Sequence, residues 1–244
     1  MTAPPRRVVS LVPSLTETVA VTAPGLLVGA TDYCTHPASL DVARVGGSKY
    51  PSLPRVLELR PDLVLANAEE NRPEDVAALR AAGVPVWVTF PRTVDEAFGS
   101  LARMLAVLGA DRPGWLDDAR REWAAPPEYD LRVVVPVWRR PWIVLGGGTF
   151  AGDVLARLGL VNAYAEAPER YPRPALAEIP ACDLVVLPDE PYAFSAADGP
   201  ESFGGRPCAL VSGRHLTWYG PSLVEARSVL RAQLTPEAWV RAGR

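Results

Sequence analysis

The sequence predicts an α/β protein of two Rossmann-like lobes, each with a parallel sheet, joined by a helical linker. Short β-rich runs alternate with helical patterns along most of the chain, which is typical of βαβ units. The segments "RPDLVLANAEE" and "PACDLVVLPDEP" resemble each other, since each is an apolar run that leads into acidic residues. A length of 244 residues is sufficient for two such lobes, each with its own core.

The first lobe opens with the strand-like run "RVVSLVPS", and "LTETVAVTA" after it has the composition of a short helix. The run "LLVGATD" predicts a second strand. Residues 52–91 then predict a helix, a buried strand, a loop, a second helix and a further strand. We expect this second helix to begin at Pro73 and to end at Gly83, because proline favours the first helical turn and glycine favours a helix C-terminus.

The linker is predicted from a long helical pattern that follows the first lobe. Thr93 and Glu96 have the spacing of a capping box, and apolar residues recur after them with a helical period. Residues 111–125 predict a further helix, which two prolines close. These patterns place the N-terminal lobe, the linker and the C-terminal lobe at residues 1–92, 93–127 and 128–244.

The second lobe repeats the alternation of the first. The run "LRVVVPVW" predicts one strand, "GDVLARLGL" a helix, "LAEIPACDLVVLPDEPY" a helix and a strand, and "PCALVSG" a last strand. Parallel strands place their carboxyl ends at one edge of a sheet, and open α/β sheets bind ligands at that edge. The loops that follow the predicted strands are therefore the candidate functional segments in both lobes.

Composition and charge limit the classes of partner. The chain is 48% hydrophobic and 22% charged, close to the average of folded globular proteins. A formal net charge of -3, with scattered arginines, provides no basic surface for nucleic acid, so we expect no nucleic-acid partner and no membrane insertion. The opening "MTAPPRRVVSLVPS" lacks the apolar stretch of a signal peptide, which predicts a cytoplasmic location. Three widely spaced cysteines predict reduced thiols.

The segment "TDYCTHP" places Cys34 and His36 two residues apart. A metal site would need two or more further ligands, from Asp32 or from the acids at 69 and 70. A lone C-x-H spacing is a weak metal signal, so we interpret the segment as a turn or an uncharged cleft wall. We predict neither a metal site nor a cofactor.

Two pairs of carboxylates follow buried strands. Glu69 and Glu70 follow the first, and Asp189 and Glu190 follow the second. Carboxylates at these positions can receive a cationic ligand or exchange protons. The alternative is that they are solvated loop charges or acids at a helix N-terminus.

Aromatic residues and arginines are concentrated in the loops "WRRPW" and "TWYGP", where no amphipathic period requires them. Such side chains suit a flat, conjugated or anionic ligand, because rings stack and guanidinium groups form paired hydrogen bonds. The alternative is a tryptophan that packs into its own lobe.

"VLGGGTFAGD" has three glycines before a helix but not the spacing of a dinucleotide-binding motif, and we interpret it as a turn that a ligand approaches closely.

No catalytic set is assembled in the sequence. There is no G-x-S-x-G motif, and the two histidines, His36 and His215, lie in unrelated loops. We therefore predict a protein that is not an enzyme.

"RVVSLVPSLTETV", "VGATDYCTHP", "RVLELRPDLVLA" and the helical linker together resemble the class III substrate-binding proteins of metal-chelate and cobalamin importers, also called helical-backbone metal receptors. The likeness covers most of the chain. It implies two α/β lobes, one rigid linking helix and a ligand in the cleft between the lobes. It also implies that "TDYCTHP" lies at the mouth of the cleft, and that Tyr33 and Tyr171 match aromatic residues of the cobalamin receptors.

Departures from the family pattern bear on partners and ligand. The glutamates that pair with permease arginines in that family align with Pro54 and Ala177, next to Glu178, so docking on an importer permease is not expected. Positions that carry tryptophan in the cobalamin receptors hold Ser48 and Asn67, which argues against cobalamin in particular. The bare-ion branch of the superfamily uses three or more histidine and carboxylate ligands, and this chain has two histidines.

The leading hypothesis is a non-catalytic binding protein that holds a small organic molecule or a metal chelate of corrinoid, siderophore or tetrapyrrole type. The alternatives are a cytosolic enzyme or metallochaperone acting on a tetrapyrrole or metal complex, and an importer subunit whose start codon is misassigned. The predicted ligand-binding residues are Tyr33, Cys34, His36, Lys49, Asn67, Glu69, Glu70, Trp138, Arg139, Tyr171, Glu190, Tyr192, Trp218 and Tyr219.

Overall fold

The structure is a computed structural model and describes residues 3–240. It divides into two compact units. The first contains the described chain up to Phe90, with Ala97–Asp117 and Tyr219–Pro221. The second contains Pro91–Glu96, Asp118–Trp218 and the described residues from Ser222 onward. The lobe and linker boundaries stated from the sequence stay predictions.

The helices and strands of the first half alternate, as the sequence predicts. They are β1 (Val8–Ser10), α1 (Pro13–Thr22), β2 (Leu27–Ala30), β3 (Ala43–Arg44), α2 (Leu53–Glu58), β4 (Leu63–Asn67), α3 (Pro73–Ala81) and β5 (Val86–Thr89). The five strands form a parallel sheet in the order β3-β2-β1-β4-β5. The helix predicted to begin at Pro73 does so, and Gly83 follows its end with a φ of 83°.

Two helices follow the first sheet, α4 (Val94–Val107) and α5 (Gly114–Trp123). Only half of the predicted capping box is formed at α4. The Thr93 hydroxyl accepts the N–H of Glu96 at 3.0 Å, but the Glu96 carboxylate accepts the N–H of Arg92 instead of that of Thr93. Thr93 therefore caps one free N–H group of the first helical turn, whereas Glu96 binds a residue that precedes the helix.

The second half contains β6 (Leu131–Val134), β7 (Pro136–Trp138), β8 (Ile143–Val144), α6 (Phe150–Leu158), β9 (Leu160–Asn162), β10 (Leu184–Pro188), β11 (Cys208–Val211), α7 (Gly213–Thr217) and α8 (Leu223–Leu234). Four of these strands form a parallel sheet in the order β11-β10-β6-β9. The predicted α/β class with parallel sheets is confirmed.

The structure departs from the sequence prediction at several places in this half, and β8, β9 and α7 were not predicted. "LRVVVPVW" is two strands, because β6 joins the parallel sheet whereas β7 turns away to pair with β8 in an antiparallel ribbon. The helix predicted in "LAEIPACDLVVLPDEPY" is only a short 3₁₀ turn, Leu176–Glu178. The helix α8 was not predicted, although its buried residues recur with a helical period from Leu223 to Leu234.

Each unit has its own core. In the first, apolar side chains from the sheet pack against α2 and α3, among them Val9, Val64, Val56 and Leu79. In the second, β6, β10 and β11 pack with the aromatic rings of Phe194 and Phe203. Across residues 3–240, no helix combines the length and the apolar character that crossing a bilayer requires.

Candidate functional site

Most of the predicted ligand-binding residues lie at the ends of parallel strands or on the loops that follow them, and each unit has its own set. In the first unit the set follows β2, β3 and β4, and Tyr219 joins it from a distant part of the chain. In the second unit Trp138 ends β7 of the antiparallel ribbon, the other members follow β7, β10 and α7, and Tyr171 lies on the loop before β10.

The "TDYCTHP" segment is a turn that buries its cysteine. Cys34 is 0% exposed, and its Sγ lies 3.0 Å from the Thr16 hydroxyl and 3.1 Å from the Thr31 hydroxyl. Burial raises the pKa of the thiol, so it remains protonated at neutral pH. The His36 Nδ1 atom lies 3.1 Å from the Thr35 hydroxyl. Among residues 3–240, no three His, Cys, Asp or Glu side chains are grouped as a metal site requires.

Other predicted residues of the first unit face solvent. Tyr33 is 67% exposed and lies directly before the buried Cys34. Lys49 is exposed, and Glu69 and Glu70 are half-buried. The backbone N–H of Glu69 donates to the Asn67 Oδ1 at 2.7 Å, which fixes the turn after β4. This edge therefore offers a phenol ring, an ammonium group and two carboxylates.

Asn67 and Tyr219 are buried and bind each other. The Asn67 Nδ2 donates to the Tyr219 hydroxyl at 2.6 Å, and the Thr89 Oγ1 lies 2.8 Å from the same hydroxyl. All three residues are less than 5% exposed. Burial raises the pKa of the Tyr219 phenol, which keeps it neutral and able to donate a hydrogen bond. These two predicted residues thus lie beneath the surface, and Thr89 is a partner that the sequence analysis missed.

In the second unit, Trp138 and Tyr192 form an aromatic pair. Their ring centroids are 5.6 Å apart in an edge-to-face arrangement, and Trp138 is 42% exposed. The Tyr192 hydroxyl donates to the Asp198 Oδ2 at 2.6 Å. Tyr171 is also 42% exposed. Trp138 and Tyr171 are therefore the exposed aromatic side chains among the predicted residues of this unit.

Arg139 is engaged within its own unit. Its guanidinium binds the carboxylate of Asp198, lies 2.7 Å from the Glu201 carboxylate and donates to the Ser202 hydroxyl at 3.2 Å. It also lies 5.3 Å from the ring centroid of Trp142. Its side chain is only 12% exposed. The arginine therefore holds the loop after β10 against the β7–β8 ribbon.

Glu190 and Trp218 form a second buried contact. The Trp218 Nε1 donates to the Glu190 Oε2 at 3.2 Å, and Trp218 is 6% exposed. Gly213 lies so close to Glu190 that a Cβ on the glycine would be 2.6 Å from the glutamate Cβ. Burial raises the pKa of Glu190, and Asp189 adds to this, while Trp218, Arg214 and His215 oppose it.

This raised pKa predicts how stability depends on pH. A carboxyl whose pKa is higher in the folded state than in the unfolded state contributes stability at low pH, and this contribution is lost as pH rises from about 4.5 through the folded pKa. Glu190→Gln should therefore reduce the fall in the free energy of unfolding between about pH 4.5 and pH 8. Urea unfolding at several pH values measures it. Glu166→Gln, which alters an exposed glutamate, is the control. If the free energy of unfolding has the same pH dependence in the unaltered protein and in both variants, the expectation is contradicted.

His215 belongs to a polar cluster that the sequence analysis did not predict. Its Nδ1 lies 2.8 Å from the Ser212 hydroxyl, and its Nε2 lies 3.1 Å from the Glu225 carboxylate. Arg214 contacts both the His215 Nε2 and Glu225 at 3.1 Å. Hydrogen bonds from His215 and Arg214 hold the pKa of Glu225 below its usual value. The cluster joins the starts of α7 and α8.

The three glycines before α6 approach the chain's own backbone. A Cβ on Gly146 would collide with the carbonyl oxygen of Glu169, and one on Gly147 with that of Ala165. The Gly146 N–H also donates to the Arg170 carbonyl at 2.8 Å. The close approach expected of a ligand at this turn is therefore made by residues 165–170, and Gly148 has a φ of 63° that favours glycine.

Comparisons with known proteins agree with this architecture. No family model matches the chain. It is 25% identical over 187 residues to the vitamin B12-binding protein of Vibrio cholerae serotype O1, which covers 72% of this chain and 67% of that protein. The periplasmic heme-binding protein BhuT in complex with two hemes has 26% identity and a TM-score of 0.76, over 95% of this chain and 98% of BhuT.

A further structure, the periplasmic vitamin B12-binding protein BtuF of Vibrio cholerae, is 22% identical, with a TM-score of 0.70 over 95% of this chain and 99% of BtuF. The chain thus has the fold of the two-lobed periplasmic binding proteins. The resemblance to the class III substrate-binding proteins, which the sequence motifs predict, is confirmed.

The predicted cytoplasmic location is wrong. Structural neighbours such as BtuF and BhuT are described as periplasmic proteins, which contradicts this prediction. The prediction depended on the first residues of the chain, whereas the comparisons draw on almost its whole length.

Proposed function

We propose that this chain is a non-catalytic binding protein for a flat organic molecule or a metal chelate of corrinoid, siderophore or tetrapyrrole type. The observation that carries the proposal is the position of its exposed aromatic side chains. Tyr33 in one unit, and Trp138 and Tyr171 in the other, are 42–67% exposed on loops of an α/β fold. Exposed rings of this kind supply stacking surface to conjugated ligands.

Charges near these rings support the same ligand class. Lys49 and Glu69 lie at the edge that carries Tyr33, and Glu190 lies two residues before Tyr192, whose ring contacts that of Trp138. A few charges of both signs among aromatic rings suit a large ligand with polar substituents better than a bare ion. Relatives named for vitamin B12 binding and neighbours named for heme binding support a binding role without catalysis.

We infer that any docking on an importer permease does not use the pair of glutamates typical of the family. Pro54 lies in the first turn of α2, and Ala177 lies in a 3₁₀ turn. The neighbouring Glu178 carboxylate accepts the N–H of Ala175 at 2.9 Å, and is occupied in closing that turn. Binding to a reconstituted permease, measured with Glu178→Gln, tests whether this acid contributes.

Native mass spectrometry of freshly purified protein tests the proposal directly, because a retained ligand reveals its mass. Titration with hemin and with cyanocobalamin, followed by absorbance, then gives an affinity. Saturable binding of either probe at a stoichiometry of one or two supports the proposal. Failure of both probes, with no ligand retained during purification, would refute the corrinoid and tetrapyrrole types.

Tyr33→Ala should weaken binding of the accepted probe by about 1–3 kcal/mol, the usual cost of losing an aromatic contact at the centre of a binding surface. The free energy of unfolding should change little, because the side chain is 67% exposed. Val21→Ala, which removes a 51% exposed apolar side chain from the last turn of α1, is the control. Equal affinities of the two variants would exclude Tyr33 from the site.

A further inference from the structure

A buried amide before α3 connects three loops of the first unit. Asn71 is 3% exposed. Its Nδ2 donates to the carbonyl oxygens of Leu11 at 3.3 Å and Ser48 at 2.9 Å, and its Oδ1 accepts the N–H of Asn67 at 2.8 Å. An asparagine side chain has two N–H donors and one acceptor oxygen, so each hydrogen-bonding atom of Asn71 is used.

Two partners of this amide, Leu11 and Ser48, belong to the loops after β1 and β3, and the third, Asn67, is the last residue of β4. Ser48 directly precedes Lys49 and Tyr50, and Tyr50 is 70% exposed. Asn67 in turn accepts the N–H of Glu69 at 2.7 Å. One side chain therefore sets the backbone that carries Lys49 and Glu69, two of the charged groups of this edge.

The residue after Asn71 provides a second contact to the same loop. The Arg72 guanidinium lies 4.7 Å from the ring centroid of Tyr50. Its own position is fixed by two hydrogen bonds to the Asp75 carboxylate, at 2.9 Å and 2.7 Å. Asp75 is 4% exposed. The loop is thus held through its backbone by Asn71 and through a side chain by Arg72.

We propose that Asn71 is a positioning residue that holds residues 48–50 and the Glu69 turn in the arrangement that the ligand requires. This inference rests on the proposed function. Without the amide, two carbonyl oxygens and one N–H at the strand ends lose their partner, and buried groups of this kind move until they find another. The exposed side chains of the loops then lose their common geometry, although none of them is altered.

The test compares Asn71→Ala, the milder Asn71→Ser and a control at the opposite edge of the same sheet. Asp62 lies directly before β4, and its carboxylate accepts the N–H groups of Arg6 and Arg7, both at 2.9 Å. Asp62→Ala therefore also removes side chain to backbone hydrogen bonds from this unit. Asn71→Ser retains one hydroxyl donor, and it replaces Asn71→Ala in both measurements if the alanine variant does not fold.

Hydrogen exchange of the ligand-free chains is the first measurement. In both Asn71 variants, the amide of Asn67 should exchange roughly tenfold faster, the scale expected for removing a buried hydrogen-bond partner. The Ser52 amide, which donates to the Val45 carbonyl at 2.7 Å and closes the loop after β3, should also exchange faster. Asp62→Ala should leave these amides unchanged. If the Asn71 variants exchange at these amides no faster than Asp62→Ala, the inference is wrong.

Titration with hemin and with cyanocobalamin is the second measurement. The Kd of the accepted probe should rise roughly tenfold in Asn71→Ala and less in Asn71→Ser, and should stay within about twofold in Asp62→Ala. Faster exchange with an unchanged Kd would overturn the positioning role. If the unaltered chain binds neither probe, the proposed function fails for these ligands, and the exchange rates alone decide whether Asn71 holds the loops.

Discussion

Tyr219→Ala is expected to lower the free energy of unfolding by about 3–5 kcal/mol, the range for removing a large buried aromatic side chain. Tyr219 is 4% exposed and lies within the first unit, although the residues on either side of the Tyr219–Pro221 segment belong to the second. Its loss leaves a cavity and also deprives the Asn67 Nδ2 of its hydrogen-bond partner. Both effects destabilise the same unit.

Tyr219→Phe separates these two effects, because it keeps the ring and removes only the hydroxyl. It should cost about 1–3 kcal/mol, since the buried Asn67 Nδ2 loses its partner, whereas the Thr89 hydroxyl keeps its bond to the Ala66 carbonyl. Urea unfolding followed by circular dichroism measures both variants. Tyr129→Phe is the matched control, because its hydroxyl donates to the Arg231 carbonyl at 3.1 Å in an exposed setting. A loss no greater than that of Tyr129→Phe would show that the buried hydroxyl contributes no extra stability.

Arg139→Ala should lower the free energy of unfolding by about 2 kcal/mol, the scale of hydrogen bonds to charged groups. The guanidinium is 12% exposed and neutralises two carboxylates, Asp198 and Glu201, which would otherwise repel each other. These carboxylates are 42% and 48% exposed, so solvent screens part of the effect. Removal of the arginine should release the loop between β10 and β11.

Arg139→Lys should recover only part of this loss, because an ammonium group lacks the planar fork that reaches both carboxylates and the Ser202 hydroxyl. Limited proteolysis of the loop, together with urea unfolding, measures the outcome. Arg121→Ala provides the comparison, since that side chain is 72% exposed and binds Asp118 on the surface of α5. Surface pairs of this kind contribute about 0–1 kcal/mol. Equal losses for both arginines would contradict the assigned role of Arg139.

The strands that the sequence predicted best are those buried on both faces. β4 and β10 are continuous apolar runs bounded by Asp, Pro or Asn, and every residue of each is buried. A pattern of this kind is visible in the residues alone. The two-residue strands β3 and β8 are too short to produce a pattern, and their existence depends on a neighbouring strand.

The break between β6 and β7 shows a second limit of prediction from the sequence. "VVVPVW" is apolar throughout, so its composition favours one strand. Pro136 has no N–H to donate to a ladder, and the chain leaves the parallel sheet at this point. The proline was the available signal for the break.

Which site residues face solvent could not be predicted from their positions after strands. Tyr33 and Cys34 are adjacent, yet one is 67% exposed and the other 0% exposed, because only Cys34 points toward Thr16 and Thr31. Asn67 and Tyr219 are 152 residues apart in the chain. No local pattern signals a hydrogen bond over that separation.

The tight contact of Gly146 and Gly147 has a consequence for how this sequence can diverge. Both glycines press against carbonyl oxygens of residues 165–170, and not against their side chains. Every amino acid has that carbonyl, so substitutions within the facing segment leave the contact intact. The two glycines have no such freedom, since any replacement adds a carbon where the oxygen lies. In descendants of this chain, the pair should stay constant while the segment it touches drifts.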